Sequence, residues 1–217
     1  MINSCLLSTA YFPPVEYFAA LANSTAAFIE GEETYQKQSY RTRCHIHSGN
    51  GLLILTIPAL REGGEHKVPI RDVKIDYSKP WLIQHKRAIE AAYMSSPFFE
   101  YYVDDIFPIL DAEPDSLFDL NTALLKKIME LIGLKNNLSF TDTYLQPQQA
   151  QDAGILDLRE RIHPKWKGEN LLRSMNIEKP YYQVFTNKQG FLSNLSILDL
   201  LCNEGPNSIS FLKSKSY

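Results

Sequence analysis

Residues 40–47 alternate in a way that few folds accommodate: read as a strand, they put Arg41, Arg43, His45 and His47 on one face. Tyr40, Thr42, Cys44 and Ile46 then point the other way, toward a core. Ser48, Gly49, Asn50 and Gly51 form a turn composition, and the apolar run Leu52-Leu53-Ile54-Leu55-Thr56-Ile57 follows at once. The pattern predicts a β-hairpin with a core face and a row of cationic and titratable groups. That row is either a solvated outer face or an anion seat, since paired guanidinium forks match phosphate or carboxylate oxygens bidentately.

Around this hairpin the chain divides into a sheet-rich first part and a helical second part. Residues 4–9 read as a short buried strand, Tyr11-Phe12-Pro13-Pro14 breaks it, and Val15, Phe18, Ala19 and Ala22 recur at helical spacing. Residues 25–30 read as a second strand. Residues 61–67 are polar and glycine-bearing, hence a predicted mobile loop, with short extended chain over 68–70 and 73–75. From Ser78, a predicted N-cap, the spacing of Trp81, His85, Ala88, Ile89 and Ala92 predicts a helix, with others over about 98–107 and 116–132, the last ended by Gly133. Residues 146–170 are predicted to be a long irregular connection and a candidate lid. A strand over 181–185 and a helix over 194–203, capped by Ser193 and stopped by Gly205-Pro206, complete the expected α+β fold. It reads as one domain over residues 1–207, with 208–217 as a flexible tail.

The function classes narrow on composition. The 217 residues carry a net charge of -3, without the basic surplus of a nucleic-acid binder, and no apolar run approaches the roughly 20 residues needed to cross a bilayer. A cytoplasmic protein is expected. Cys5, Cys44 and Cys202 are odd in number and far apart, which indicates neither a disulfide framework nor zinc. No Walker loop or GxGxxG is present, so no nucleotide cofactor is expected. The acidic residues Asp104, Asp105, Asp111, Glu113 and Asp115 lack the alternation of a calcium loop, and no metal is predicted.

Several side chains could carry chemistry. His85 shares the inward face of its helix with Trp81 and Ile89, where an imidazole is either a general base or a core histidine with both nitrogens satisfied. Asp199 falls on the apolar stripe of the final helix, and a carboxylate there needs a partner, either His85 or one of Arg41 and Arg43, with the arginine favoured. Cys44 has cationic neighbours, but strand alternation turns it toward the core as a small hydrophobe. Tyr11, Tyr17, Tyr40, Tyr181 and Tyr182, with Gln183, offer apolar bodies with polar tips suited to a sugar or nucleotide pocket.

Four blocks together resemble the WbqC-like family, proteins encoded in bacterial O-antigen and capsule gene clusters. They are Ala10-Tyr11-Phe12-Pro13-Pro14-Val15-Glu16-Tyr17-Phe18; Ser39-Tyr40-Arg41-Thr42-Arg43-Cys44-His45-Ile46 with Leu55-Thr56-Ile57-Pro58; Trp81 to Tyr93 around His85; and Tyr181-Tyr182-Gln183-Val184-Phe185 with Leu195-Ser196-Ile197-Leu198-Asp199-Leu200-Leu201. Thr9-Ala10 stands where the family has glutamine-proline, Thr42 where many relatives carry asparagine, and the stretch between Gly133 and Tyr181 is short. The resemblance implies a role in surface-glycan assembly, as a transferase adding an acyl or aminoacyl group to a nucleotide-linked amino sugar. On the enzyme reading His85 is the candidate base and Asp199 its orienting carboxylate, and Tyr11, Tyr17, Arg41, Arg43, Tyr182 and Gln183 are the candidate substrate contacts; the resemblance adds weight to His85. The expected partners are a nucleotide-linked sugar or other anionic small molecule and an acyl-carrier or coenzyme A thioester. The alternative is a non-catalytic accessory or ligand-binding protein of the same pathway.

Overall fold

Apolar residues with no polar alternation fill Cys5, Leu6 and Leu7, so this strand must be covered on both faces, as central strands of parallel sheets are. In the computed structural model, which describes residues 2–60 and 68–214, it is β1 (Ile2–Ser8). Helix α1 (Val15–Ala22) crosses over to β2 (Ser24–Glu30), which pairs parallel to β1 with Cys5 opposite Ala27. Two short strands from far along the chain complete a parallel sheet: β7 (Asn137–Phe140) beside β2 and β8 (Ile155–Asp157) beside β1, giving the order β7-β2-β1-β8. β8 and α5 (Pro147–Asp152) lie inside the stretch expected to be irregular. A strand of three residues with Leu156 exposed carries no readable period, so only pairing reveals it.

The hairpin forms a sheet of its own, β3 (Arg43–Ser48) against β4 (Gly51–Thr56), with Gly51 taking the positive φ its turn requires. The strand begins at Arg43, three residues later than expected, because residues 39–42 turn and deliver Arg41 inward to a buried carboxylate. Cys44, Ile46 and Leu55 face the core, whereas Leu52, Leu53 and Ile54 on β4 are exposed. β5 (Ala59–Leu60) and β6 (Lys74–Ile75) form a small ladder; the loop expected over 61–67 lies outside the described residues.

The helical part follows the sequence closely. α2 (Trp81–Tyr93) buries Trp81, His85, Ile89, Ala92 and Tyr93, although Ser78 bonds Asp76 and does not cap it. α3 (Phe99–Asp111) continues through Pro108, and α4 (Leu117–Leu131) is capped by Ser116, whose side chain accepts from the Asp119 amide. After α6 (Leu171–Ser174) the expected strand over 181–185 is absent: the chain runs irregularly into α7 (Thr186–Gln189). The Gln183 side chain replaces a strand partner there, donating to the Leu192 carbonyl at 2.8 Å and accepting from its amide at 2.9 Å. α8 (Ile197–Glu204) starts three residues later than expected, capped by Ser196 and not Ser193. The whole is an α+β fold, and among the described residues no helix is long and apolar enough to cross a membrane.

The boundary expected at residue 208 falls at the start of a helix, α9 (Ser208–Leu212), which packs on α1. Asn23 donates to the Leu212 carbonyl at 2.6 Å, and the Leu212 side chain is wholly enclosed. Leu212→Ala is therefore expected to lower the unfolding free energy by about 2–5 kcal/mol in urea titrations, where a free tail would give no change.

Candidate functional site

The carboxyl ends of β1 and β2 bring together the first set of expected site residues. Arg41 reaches from the turn before β3 to Glu33, with Nε donating to Oε1 at 2.8 Å and Nη2 donating to Oε2. Nη2 also donates to Ser8 Oγ at 2.9 Å and Nη1 to Gln36 at 3.3 Å, and the Ser8 hydroxyl itself donates to Glu33. Beside them Arg159 joins Glu30 and Asp157, its guanidinium lying over the Tyr144 ring, while the Tyr17 hydroxyl donates to the Ser8 carbonyl at 2.9 Å. Arg41 is only 2% exposed and each of its guanidinium nitrogens is occupied. Burial pushes the Glu33 carboxyl up and the Arg41 charge opposes it. Ser8, Thr9, Tyr17, Tyr40 and Arg41 line a narrow cleft here, but the network is internally complete and leaves the ligand no free fork.

His85 and Tyr11 form a second, separate pair. The Tyr11 hydroxyl is 3.0 Å from His85 Nδ1, the Thr56 backbone also hydrogen bonds the ring, and Trp81 packs edge-on at 5.0 Å. Burial pulls the imidazole down to about 4. It is neutral at pH 7 and 4% exposed, with Nδ1 engaged by Tyr11.

The third set lies on the outer face of the hairpin. Arg43 is half-buried, its Nε is shielded from solvent without a partner, and among the described residues it makes no ion pair. His45, two residues on, is half-buried with Tyr40 edge-on at 5.4 Å; burial and then the Arg43 charge hold its pKa below the usual range. His47 closes the row at 1% exposure, with Phe185 at 5.7 Å and no hydrogen-bond partner on either ring nitrogen. Its cover is the segment 181–192, which is fastened to α8: Asp199 Oδ2 accepts from the Tyr181 hydroxyl and from Gln183 Nε2, both at 2.7 Å.

Asp199 therefore pairs with neither His85 nor an arginine. It is wholly buried, and burial pushes it up to about 6 in spite of those bonds. Tyr182, by contrast, is 55% exposed. Cys44 is enclosed and burial pushes its thiol far up, leaving no thiolate at neutral pH. Among the described residues no cluster of His, Cys, Asp or Glu could hold a metal ion. Reasoning from sequence missed Glu33, Arg159 and Tyr93. The acidic run 30–33 signalled the first, and Tyr93, four residues beyond Ile89 on the inward stripe of α2, could have been found by spacing.

Asp199 gives the site a pH signature. The folded chain keeps this proton up to about pH 6, whereas an unfolded aspartate releases it near 3.8. The unfolded state thus binds fewer protons in that window, and this group's contribution to stability falls as pH rises from about 4 to 6, by about 3 kcal/mol in all. Asp199→Asn removes the dependence. Urea unfolding of parent and variant at pH 4 and pH 7 should show the variant gaining about that amount relative to the parent; an unchanged difference would mean the carboxyl ionises freely.

Comparison with known proteins places these sites in a lineage. The chain is similar to the uncharacterized protein Rv1507c of Mycobacterium tuberculosis, 26% identical over 229 aligned positions that cover 98% of both chains. No solved structure matches it. The profile of the WbqC-like protein family matches residues 9–166, a span that takes in Arg41, Arg43, His85 and Arg159. With most of its 217 residues inside that match, the chain belongs to the WbqC-like protein family.

Proposed function

We propose that this protein acts in the cytoplasm in the assembly of a bacterial surface glycan, binding a nucleotide-linked amino sugar and transferring to it an acyl or aminoacyl group from a carrier or coenzyme A thioester. The observation that carries the binding half is Arg43. A half-buried guanidinium without a carboxylate, beside His45 on the same strand face, is a pre-formed seat for the diphosphate of such a ligand. Arg41, although close in sequence, supports the fold from within, so the anion seat is Arg43 with His45 and not the two arginines together. Membership of the WbqC-like protein family supports the glycan role, which the family resemblance implies.

The accessory reading, in which the hairpin recognises a ligand or carrier without turnover, draws support from His85, which is buried and bonded to Tyr11. Titration with nucleotide-linked sugars separates the two arginines. Arg43→Ala should weaken binding at least tenfold with an unchanged unfolding midpoint, because it removes a charge-assisted contact and leaves no buried charge behind. Arg41→Ala should instead cost about 3–5 kcal/mol of stability, since Glu33 would be left alone in the interior. Equal loss of stability in both variants would count against the anion seat.

A further inference from the structure

Four buried polar atoms gather at the closed end of the hairpin row without a well-aligned hydrogen bond: both ring nitrogens of His47, the Tyr93 hydroxyl and Asp199 Oδ1. Tyr93 on α2 lies within reach of Asp199 and of the His47 backbone, and Gln183, which donates to Asp199, is the polar neighbour of the His47 ring. Folded proteins satisfy the great majority of such groups, and a set left open in one place is characteristic of a reacting centre. We infer that His47 is the proton acceptor of the transfer reaction, positioned through Gln183, which Asp199 holds, and that residues 184–190, the part of the cover not bonded to Asp199, lift to admit the acceptor sugar. This assignment rests on the transferase reading above.

Three features support it. The His47 ring makes no well-aligned hydrogen bond, whereas His85 Nδ1 is engaged by Tyr11, and burial holds the His47 pKa below the usual range. Alternate residues on a strand face are roughly 7 Å apart. A diphosphate seated on Arg43 and His45 therefore extends its sugar toward His47. The cover is also held lightly at this end, by the Phe185 ring and by Gln189 Nε2 donating to the Gly49 carbonyl at 3.0 Å, with Gly190 at a positive φ as a pivot. In the reaction the sugar nitrogen forms a bond to the acyl carbon, and the carbon–sulfur bond breaks with its electron pair leaving on sulfur. The proton lost by nitrogen passes to His47 and then to the departing thiolate.

The test uses the full chain with UDP-glucosamine as acceptor and acetyl- or glycyl-coenzyme A as donor. His47→Gln should lower kcat at least a hundredfold while Kd for UDP-glucosamine stays within about threefold. His85→Gln should keep kcat within about threefold and lower Tm. Activity of His47→Gln within tenfold of the parent overturns the assignment. If that variant does not fold, His47→Asn serves in its place, and a kcat within tenfold of the parent there overturns it equally. Should the parent turn over neither donor, the transferase reading fails, and His47 is judged by its imidazole NMR signals. A shift on UDP-glucosamine binding, lost in Arg43→Ala, keeps His47 facing the ligand; absence of binding or an unshifted ring overturns it.

Discussion

The buried pairing of Arg41 with Glu33 is the constraint on which the arrangement of this molecule depends. Two charges taken out of water are tolerated only when every donor and acceptor is matched, and here the match is assembled from three places: Ser8 at the end of β1, Glu33 beyond β2, and Arg41 in the turn before β3. The pair thereby fixes where the parallel sheet hands over to the hairpin. Asn121 on α4 reinforces the junction by donating to the Arg41 carbonyl at 2.9 Å. A strand that began at Tyr40 would pull this guanidinium onto the outer face and leave Glu33 as an isolated buried carboxylate, so the turn over 39–42 is the lower-energy solution.

The same reasoning separates paired charge from unpaired polar groups. Arg41 and Arg159 are saturated by carboxylates and serve the interior, whereas Arg43 and His47 keep open valences while being partly or wholly shielded from water. Shielding without pairing is unfavourable unless a ligand or a proton transfer makes use of it. The covering segment 181–192 adds to this. Its regular backbone bonding is sparse, and it is held instead by side chains, Gln183 and Tyr181, that end on a single carboxylate of α8.

Much of the architecture was legible in the sequence because its elements carry strong periods. The hairpin announced itself by alternation and by Gly51, and the stripes of α2 and α4 by apolar spacing, whereas the caps expected at Ser78 and Ser193 did not form. What stayed hidden depended on distant partners. β8 is too short to show a period, residues 181–185 have strand composition but spend their polar groups on side-chain bonds, and α9 is only five residues long and depends on Asn23 for its anchor. For the site, the row of Arg43, His45 and His47 was visible, while the partners of Asp199 and Arg41 were not. A sequence reveals that a buried charge needs a partner, and only the fold decides which one arrives.

The order of the parallel sheet also sets how the chain must come together. Ser4 pairs with Ile155 and Ala26 with Asn137, so each outer edge of the sheet is closed by a segment more than a hundred residues away. The entropy of closing such long loops falls due before the pairings return any stability, which slows topologies of this kind relative to helical bundles. The hairpin and helices, whose contacts are local, can form while β1 and β2 still present bare edges to solvent. During that interval the apolar run of β1 is the segment most exposed to pairing with another chain, and the late arrival of β7 and β8 is what ends the hazard.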